Sequence, residues 1–100
     1  LITRDEIPDP NRLRIRTILN DTVLQDASTG AMIVQVADIV SLLSQSMTLL
    51  AGTVILTGTP EGVGFTRKPP IFLKDGDRIT IEIEKIGRLS NPVTKERSAR

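Results

Sequence analysis

Between Arg12 and Leu19 polar and apolar positions alternate. Leu13, Ile15, Thr17 and Leu19 fall on one side of an extended chain, and Arg12, Arg14 and Arg16 on the other. A period of two marks a strand with one face buried and one exposed, here a basic one. Asn20-Asp21 follows as a turn, and Val23-Leu24-Gln25 reads as the returning strand of a hairpin. The period then lengthens. After Ser28-Thr29-Gly30, the residues Met32, Val36, Ile39, Val40, Leu43 and Met47 recur every three or four positions. That spacing predicts an amphipathic helix over about 36–46, closed off by Ala51-Gly52. Thr53–Thr57 is a short apolar run and predicts a buried strand, with a loop over 58–70 after it. Lys74-Asp75-Gly76-Asp77 is a turn. Ile79, Ile81 and Ile83 alternate with Thr80, Glu82 and Glu84 in the clearest strand of the chain; Gly87 turns it, and Arg88–Val93 forms a last strand. Residues 1–11, with Pro8 and Pro10, form an irregular loop, and Thr94–Arg100 is a polar tail expected to fray. Strands outnumber helices, so the pattern predicts a β-rich α+β domain over 1–93, with 94–100 as the tail.

Composition narrows the chemistry. One hundred residues suffice for one small domain, and 39% hydrophobic with 25% charged residues suits a soluble globular chain. A net charge of +1 gives no electrostatic case for nucleic acid, and two aromatic residues, Phe65 and Phe72, offer no stacking platform for bases. No apolar run approaches the roughly 20 residues of a membrane span. Cysteine and histidine are both absent. The first absence removes disulfides and thiol nucleophiles, and the second removes the commonest general base and every Ser-His pair. Carboxylates, lysine, hydroxyls and backbone remain. The first residues, Leu1-Ile2-Thr3-Arg4-Asp5-Glu6, reach charge at once and do not read as a signal peptide. With no methionine at position 1, the chain reads as a part cut from a longer one.

The segment Leu56-Thr57-Gly58-Thr59-Pro60-Glu61-Gly62-Val63-Gly64 carries the most specific chemical signal. Glycines let backbone N–H groups approach a ligand, and successive N–H groups can form an anion-binding concavity. Thr59 adds a hydroxyl that donates one hydrogen bond and accepts two. A phosphate-binding P-loop would need Gly-Lys-Ser/Thr and then a helix, and a dinucleotide fingerprint would also open a helix. The chain instead continues Phe65-Thr66-Arg67-Lys68-Pro69-Pro70, and paired prolines do not enter a helix interior. From spacing alone, an ordinary strand-exit turn stays open beside a binding loop.

Several short motifs in order favour the binding loop. Asp5-Glu6-Ile7-Pro8-Asp9-Pro10, then Asn20 with Gln25-Asp26, Ser28-Thr29 and Met32-Ile33, then Met47-Thr48-Leu49 with Gly52, precede Thr57-Gly58-Thr59-Pro60 and Gly62-Val63-Gly64. Phe72-Leu73-Lys74-Asp75-Gly76-Asp77 and Asn91-Pro92-Val93 follow. From about Thr3 to about Val93 this order resembles the C-terminal part of the catalytic domain of the fumarylacetoacetate hydrolase family. The resemblance implies part of that family's mixed β-roll with one principal helix. It implies a metal-dependent hydrolase, isomerase or decarboxylase acting on small 2-oxo or β-diketo acids. It further implies Mg²⁺, or Mn²⁺ or Ca²⁺, as a Lewis acid on the oxo-acid end of the substrate, bound by a Glu-x-Glu pair and an aspartate. Those ligands and an assisting lysine would lie upstream of the part this chain resembles, so no metal ligand and no catalytic group is assigned here. What remains is the substrate-carboxylate side: Thr59 as hydroxyl and backbone donor, and Gly58 for close backbone approach. The expected partners are a small anionic oxo acid and, for the full-length protein, a second copy in a homodimer. No nucleic acid or membrane partner is expected. The expected location is cytoplasmic, or mitochondrial in a eukaryote. The other reading is a truncated, inactive fold module with an assembly role or none.

Four positions depart from the family pattern: Asp21 for a turn glycine, Val34 for an aromatic, Gln35 for a serine helix cap, and Thr53 for an aspartate. Asp21 fits a turn with positive φ, and Gln35 predicts a weaker helix start. Glu82 and Glu84 share one face of a strand, as a metal pair would, but the Ile-Glu alternation is also that of a half-exposed strand and reads as a solvated face. Asp5, Glu6 and Asp9 read as surface loop. Arg12, Arg14 and Arg16 line either a solvated face or one turned to a partner chain; Arg67 and Lys68 either attract an anionic substrate or tip a soluble loop.

Overall fold

The computed structural model describes residues 1–98. Its centre is a four-stranded antiparallel sheet in the order β2-β1-β3-β4, formed by β1 (Arg14–Leu19), β2 (Thr22–Ser28), β3 (Arg78–Ile83) and β4 (Gly87–Pro92). The hairpin, the Ile79–Ile83 strand and the last strand thus form as their alternation requires. In β1 and β3, Ile15 faces Ile83, Thr17 faces Ile81 and Leu19 faces Ile79, so directly opposed residues build one apolar face. Arg16 opposite Glu82 belongs to the other face.

The β1–β2 turn, the Lys74–Asp77 turn and the N-terminal loop are tied by side chains. Asn20, with φ 54°, turns the first hairpin. It donates its backbone N–H to Arg78 O (2.8 Å), accepts from Arg78 N on Oδ1 (3.0 Å) and donates Nδ2 to Asp77 Oδ1 (3.1 Å). Asn20, and not the neighbouring Asp21, therefore carries the left-handed backbone, which a short amide side chain tolerates by bonding locally. Asp77 closes the Lys74–Asp77 turn by accepting from Lys74 N at 2.8 Å. That bond, and then the Asn20 amide, hold its carboxyl below the ordinary aspartate value. Thr29 ties the N-terminal loop to the end of β2: it accepts from Leu13 N (3.0 Å) and donates to Pro10 O (2.7 Å).

The helix α1 spans Val36–Ser44, two residues short of the expected end. Gln35 stands at its N-cap without a side-chain cap bond, as the missing serine predicts, and donates instead to Met32 O at 3.1 Å. The first helical N–H is taken by Asn11 Oδ1 at 3.3 Å. Gly52 does not close the helix: it lies in a later turn, with φ +86°.

A strand expectation also fails. Thr53–Thr57 forms no strand, and it is not buried: Val54 is 81% and Leu56 92% exposed. A strand needs a neighbour to take its backbone hydrogen bonds. In this stretch Thr53 N reaches only Leu50 O across a turn (3.1 Å), and no described strand lies beside it.

The described residues do not enclose a core. Ile7 and Leu13 alone are buried apolar side chains, and no residue of α1 is buried. The accessible surface is 8461 Å², where a self-contained chain of this mass exposes about 5,600 Å². The radius of gyration is 16.5 Å, against about 13 Å for a compact domain of this length. Residues 93–98 carry no regular structure, although Lys95 N donates to Asp75 Oδ1 at 2.9 Å; the last two residues of the expected tail lie outside the described residues.

Candidate functional site

The connection from α1 to β3 passes the apolar side of the sheet and carries the glycine-rich segment. Its second half is folded tightly on itself. Gly64 O accepts from Ile71 N (2.9 Å) and from Arg67 N (3.2 Å), and Thr66 donates its hydroxyl to Val63 O (2.7 Å). A Cβ on Gly64 would stand 2.2 Å from Ile71 O, and one on Gly62 would stand 2.8 Å from Leu24 O. Both positions require glycine because another backbone occupies the space of a side chain.

The first half is open. Thr57, Gly58 and Thr59 are exposed. Gly58 has φ +88° with nothing within 4 Å of where a Cβ would lie. Among the described residues, neither the Gly58 N–H nor the Thr59 N–H donates to a protein acceptor. Open backbone donors beside a hydroxyl suit an anion.

Two residues fasten this loop to the sheet. Gln25, on β2, donates its amide Nε2 to Thr59 Oγ1 (3.0 Å), Pro60 O (2.8 Å) and Glu61 O (3.2 Å). Its own Oε1 accepts from Thr17 Oγ1 on β1 at 2.8 Å. Arg67 donates Nε to Gly62 O (3.2 Å) and its terminal nitrogen to Leu24 O. Of the two roles left open for Arg67, the structure favours neither a bare loop tip nor a substrate magnet, since its guanidinium is committed to loop carbonyls. Lys68 is exposed. Leu24 can offer that carbonyl because it is the extra residue of a β-bulge: Thr17 pairs with Gln25 and Ile18 with Val23, leaving Leu24 without an opposite number. Thr17, Leu24, Gln25, Phe65, Ile71 and Ile79 line a groove of about 270 Å³ between loop and sheet.

The opposite face of the sheet is polar and charge-paired. Arg14 Nε bonds Asp26 Oδ1 (2.8 Å), Arg16 bonds Glu82, and Arg88 Nε meets Glu82 Oε2 at 2.8 Å. Arg16, and then Arg88 with Arg14 by charge alone, hold the Glu82 carboxyl below the ordinary glutamate value, and Arg14 does the same for Asp26. The arginine stripe is therefore an ion-paired sheet face. Glu84 accepts from Arg14 N at 3.1 Å. Asp9 pairs with Arg12 (3.1 Å), and the Glu6 carboxylate accepts from Thr3 N (2.7 Å), which with the Thr3 hydroxyl lowers its pKa. Among the described residues no three acidic groups converge as metal ligands would. A divalent cation would have to compete with two guanidiniums for Glu82, so the carboxylates present do not fit the metal that the sequence resemblance implies.

Thr59 and Gly58 lie in a loop, where the sequence pattern puts them, and are exposed; the two tethers have no counterpart in that pattern. Gln25 was visible only as one residue of a motif, and nothing in local spacing announces a partner 34 positions away.

Residues 1–94 match the family model for fumarylacetoacetate (FAA) hydrolase C-terminal. The mitochondrial oxaloacetate tautomerase of Rattus norvegicus is 44% identical over 93 residues, covering 93% of this chain and 30% of the relative. A fumarylacetoacetate hydrolase from psychrophilic Exiguobacterium antarcticum superposes with a TM-score of 0.90 at 44% identity, over 95% of this chain and 34% of its own. A maleylpyruvate hydrolase from Sphingobium sp. SYK-6, solved with manganese (II) ion and pyruvate, gives 0.82 at 36% identity, over 94% of this chain and 33% of its own. The chain spans about a third of the length of these relatives. In sequence and in fold, then, it belongs to the fumarylacetoacetate hydrolase family, of which it represents the C-terminal part.

Proposed function

We propose that this chain forms the substrate-carboxylate side of an enzyme that hydrolyses, isomerises or decarboxylates small 2-oxo or β-diketo acids. The open Gly58-Thr59 segment carries this reading: two exposed residues whose backbone N–H groups donate to no described protein acceptor, beside a hydroxyl, on a loop pinned to a sheet. A carboxylate placed there receives hydrogen bonds from the Thr59 hydroxyl and from backbone N–H groups. The relatives' names point to the substrate class, since they include an oxaloacetate tautomerase and a maleylpyruvate hydrolase. A divalent metal, Mg²⁺ or Mn²⁺, belongs to this reading with ligands from outside residues 1–98, because no three acidic groups converge among the described residues. A homodimer and a mitochondrial or cytoplasmic location go with it.

The test is Thr59→Val in the full-length protein, which removes the hydroxyl and keeps the β-branched shape. A lost hydrogen bond to a charged ligand costs about 1.5–3 kcal/mol, which lowers kcat/KM about ten- to hundredfold with an unchanged melting curve. Kinetics within about twofold of the parent would remove Thr59 from the site. Calorimetry on residues 1–100 alone tests the metal assignment: no tight Mg²⁺ binding is expected, and micromolar affinity lost in Glu82→Gln would reassign the metal to this chain.

A further inference from the structure

We infer that Gln25 is a positioning residue that sets Thr59 as a hydrogen-bond donor to an anionic ligand. The inference rests on the carboxylate-binding reading of Thr59. It goes further by assigning the direction of that residue's proton to a side chain on the sheet.

The direction follows from what each atom can do. Pro60 O and Glu61 O are carbonyl oxygens and can only accept, at 2.8 and 3.2 Å from Gln25 Nε2. The amide must therefore turn its NH₂ toward the loop and its oxygen toward Thr17, which stands directly opposite Gln25 in the β1–β2 pairing. Thr17 must then donate its hydroxyl to Gln25 Oε1. Gln25 Nε2 has two hydrogens, shared among the Thr59, Pro60 and Glu61 oxygens, and no lone pair to offer, so in its 3.0 Å contact the Thr59 oxygen can only be the acceptor. A threonine hydroxyl that accepts from the protein keeps its single proton for a partner outside. The run Thr17 to Gln25 to Thr59 thus has one polarity, and it ends in a donor at the exposed loop. A carboxylate or enolate oxygen matches that proton, and the second lone pair of the hydroxyl is left for water.

A double-mutant cycle in the full-length protein decides it, with kcat and KM measured for oxaloacetate. Gln25→Leu is expected to lower kcat/KM about three- to tenfold, and Thr17→Val to act in the same direction by about twofold. In a Thr59→Val background, Gln25→Leu should cost less than about a further twofold, because the group it orients is gone. Gln25→Glu keeps the shape but offers only acceptors at neutral pH. Its activity relative to the parent should fall about tenfold at pH 7 and recover as pH drops and the new carboxyl regains a proton to donate. Gln25→Glu also serves if the leucine variant does not fold. Losses that multiply in the double variant, or a Gln25→Glu deficit that is flat with pH, would reduce Gln25 to a structural filler. A full effect of Thr59→Val beside a silent Gln25→Leu overturns this inference alone. A silent Thr59→Val overturns the carboxylate reading and this inference with it.

Discussion

In the sheet each strand finds its hydrogen-bond partners in its neighbours, and the polar face closes charge on charge from Asp26 through Arg14, and through Arg16 and Glu82 to Arg88. Residues 53–62 do neither. Their backbone has no ladder, Val54 and Leu56 stand in solvent, and the loop is held by side chains from elsewhere, chiefly Gln25 and Arg67. One region specifies itself from nearby sequence, and the other is placed by contacts across the chain. Self-specification gives a rigid platform; placement from outside leaves backbone donors open, which a ligand loop requires.

The largest expected break in this contrast comes from residues 1–100 expressed alone. The sheet should persist, while the uncovered apolar surface of α1 and residues 53–57 drives association. Size-exclusion chromatography with circular dichroism should show self-association and a broad, weakly cooperative melt. A monodisperse monomer melting sharply would mean that the exposed segment needs no cover.

A second break compares two glycines of the same loop in the full-length protein. Gly64→Ala forces a Cβ into Ile71 O and should destabilise by about 3 kcal/mol in urea denaturation. Gly58→Ala has empty space around it and bears only the cost of its left-handed backbone, about 1 kcal/mol. Equal effects at the two positions would mean that backbone conformation, and not the folded half of the loop, sets the tolerance.

The smallest effect belongs to the ion-paired face. The Glu82 carboxyl is depressed in the folded state, first by Arg16, so between its folded and ordinary values the unfolded chain holds more protons. Its contribution is complete above about pH 5 and fades as pH falls through the folded value. Glu82→Gln should therefore lower Tm at pH 7 by less than about 5 °C, and the difference from the parent should shrink below about pH 4. A difference constant across that range would remove the carboxylate from the explanation.

How much of this was legible in the sequence divides along the same line. Ile79, Ile81 and Ile83 announced β3, and the spacing of Val36, Ile39, Val40 and Leu43 announced α1, because both patterns are local. The run Thr53–Thr57 has strand composition but no strand, since pairing depends on what lies alongside and not on the run itself. Thr59 and Gly58 were legible as loop residues able to offer a hydroxyl and an approachable backbone, from glycine and hydroxyl chemistry. Gln25 and Arg67 were not, because a side chain's tertiary partner leaves no periodic trace. The turn at Asn20-Asp21 was legible, but which residue takes the positive φ was decided by the bonds that Asn20 makes to Asp77 and Arg78.

The bulge at Leu24 bears on how this stretch can drift in sequence. A strict two-residue alternation counted from Thr22 would put Gln25 on the face of Val23; one additional residue re-phases the strand and turns Gln25 toward Thr17. The same residue frees the carbonyl that Arg67 binds and against which Gly62 lies. The atom that matters at position 24 is a backbone oxygen, which every amino acid supplies. Substitution there should be tolerated broadly wherever the groove accepts the new side chain, while loss of a single residue between Thr22 and Gln25 would unhitch the loop. Homologous sequences should accordingly vary in letter at this point and agree in count.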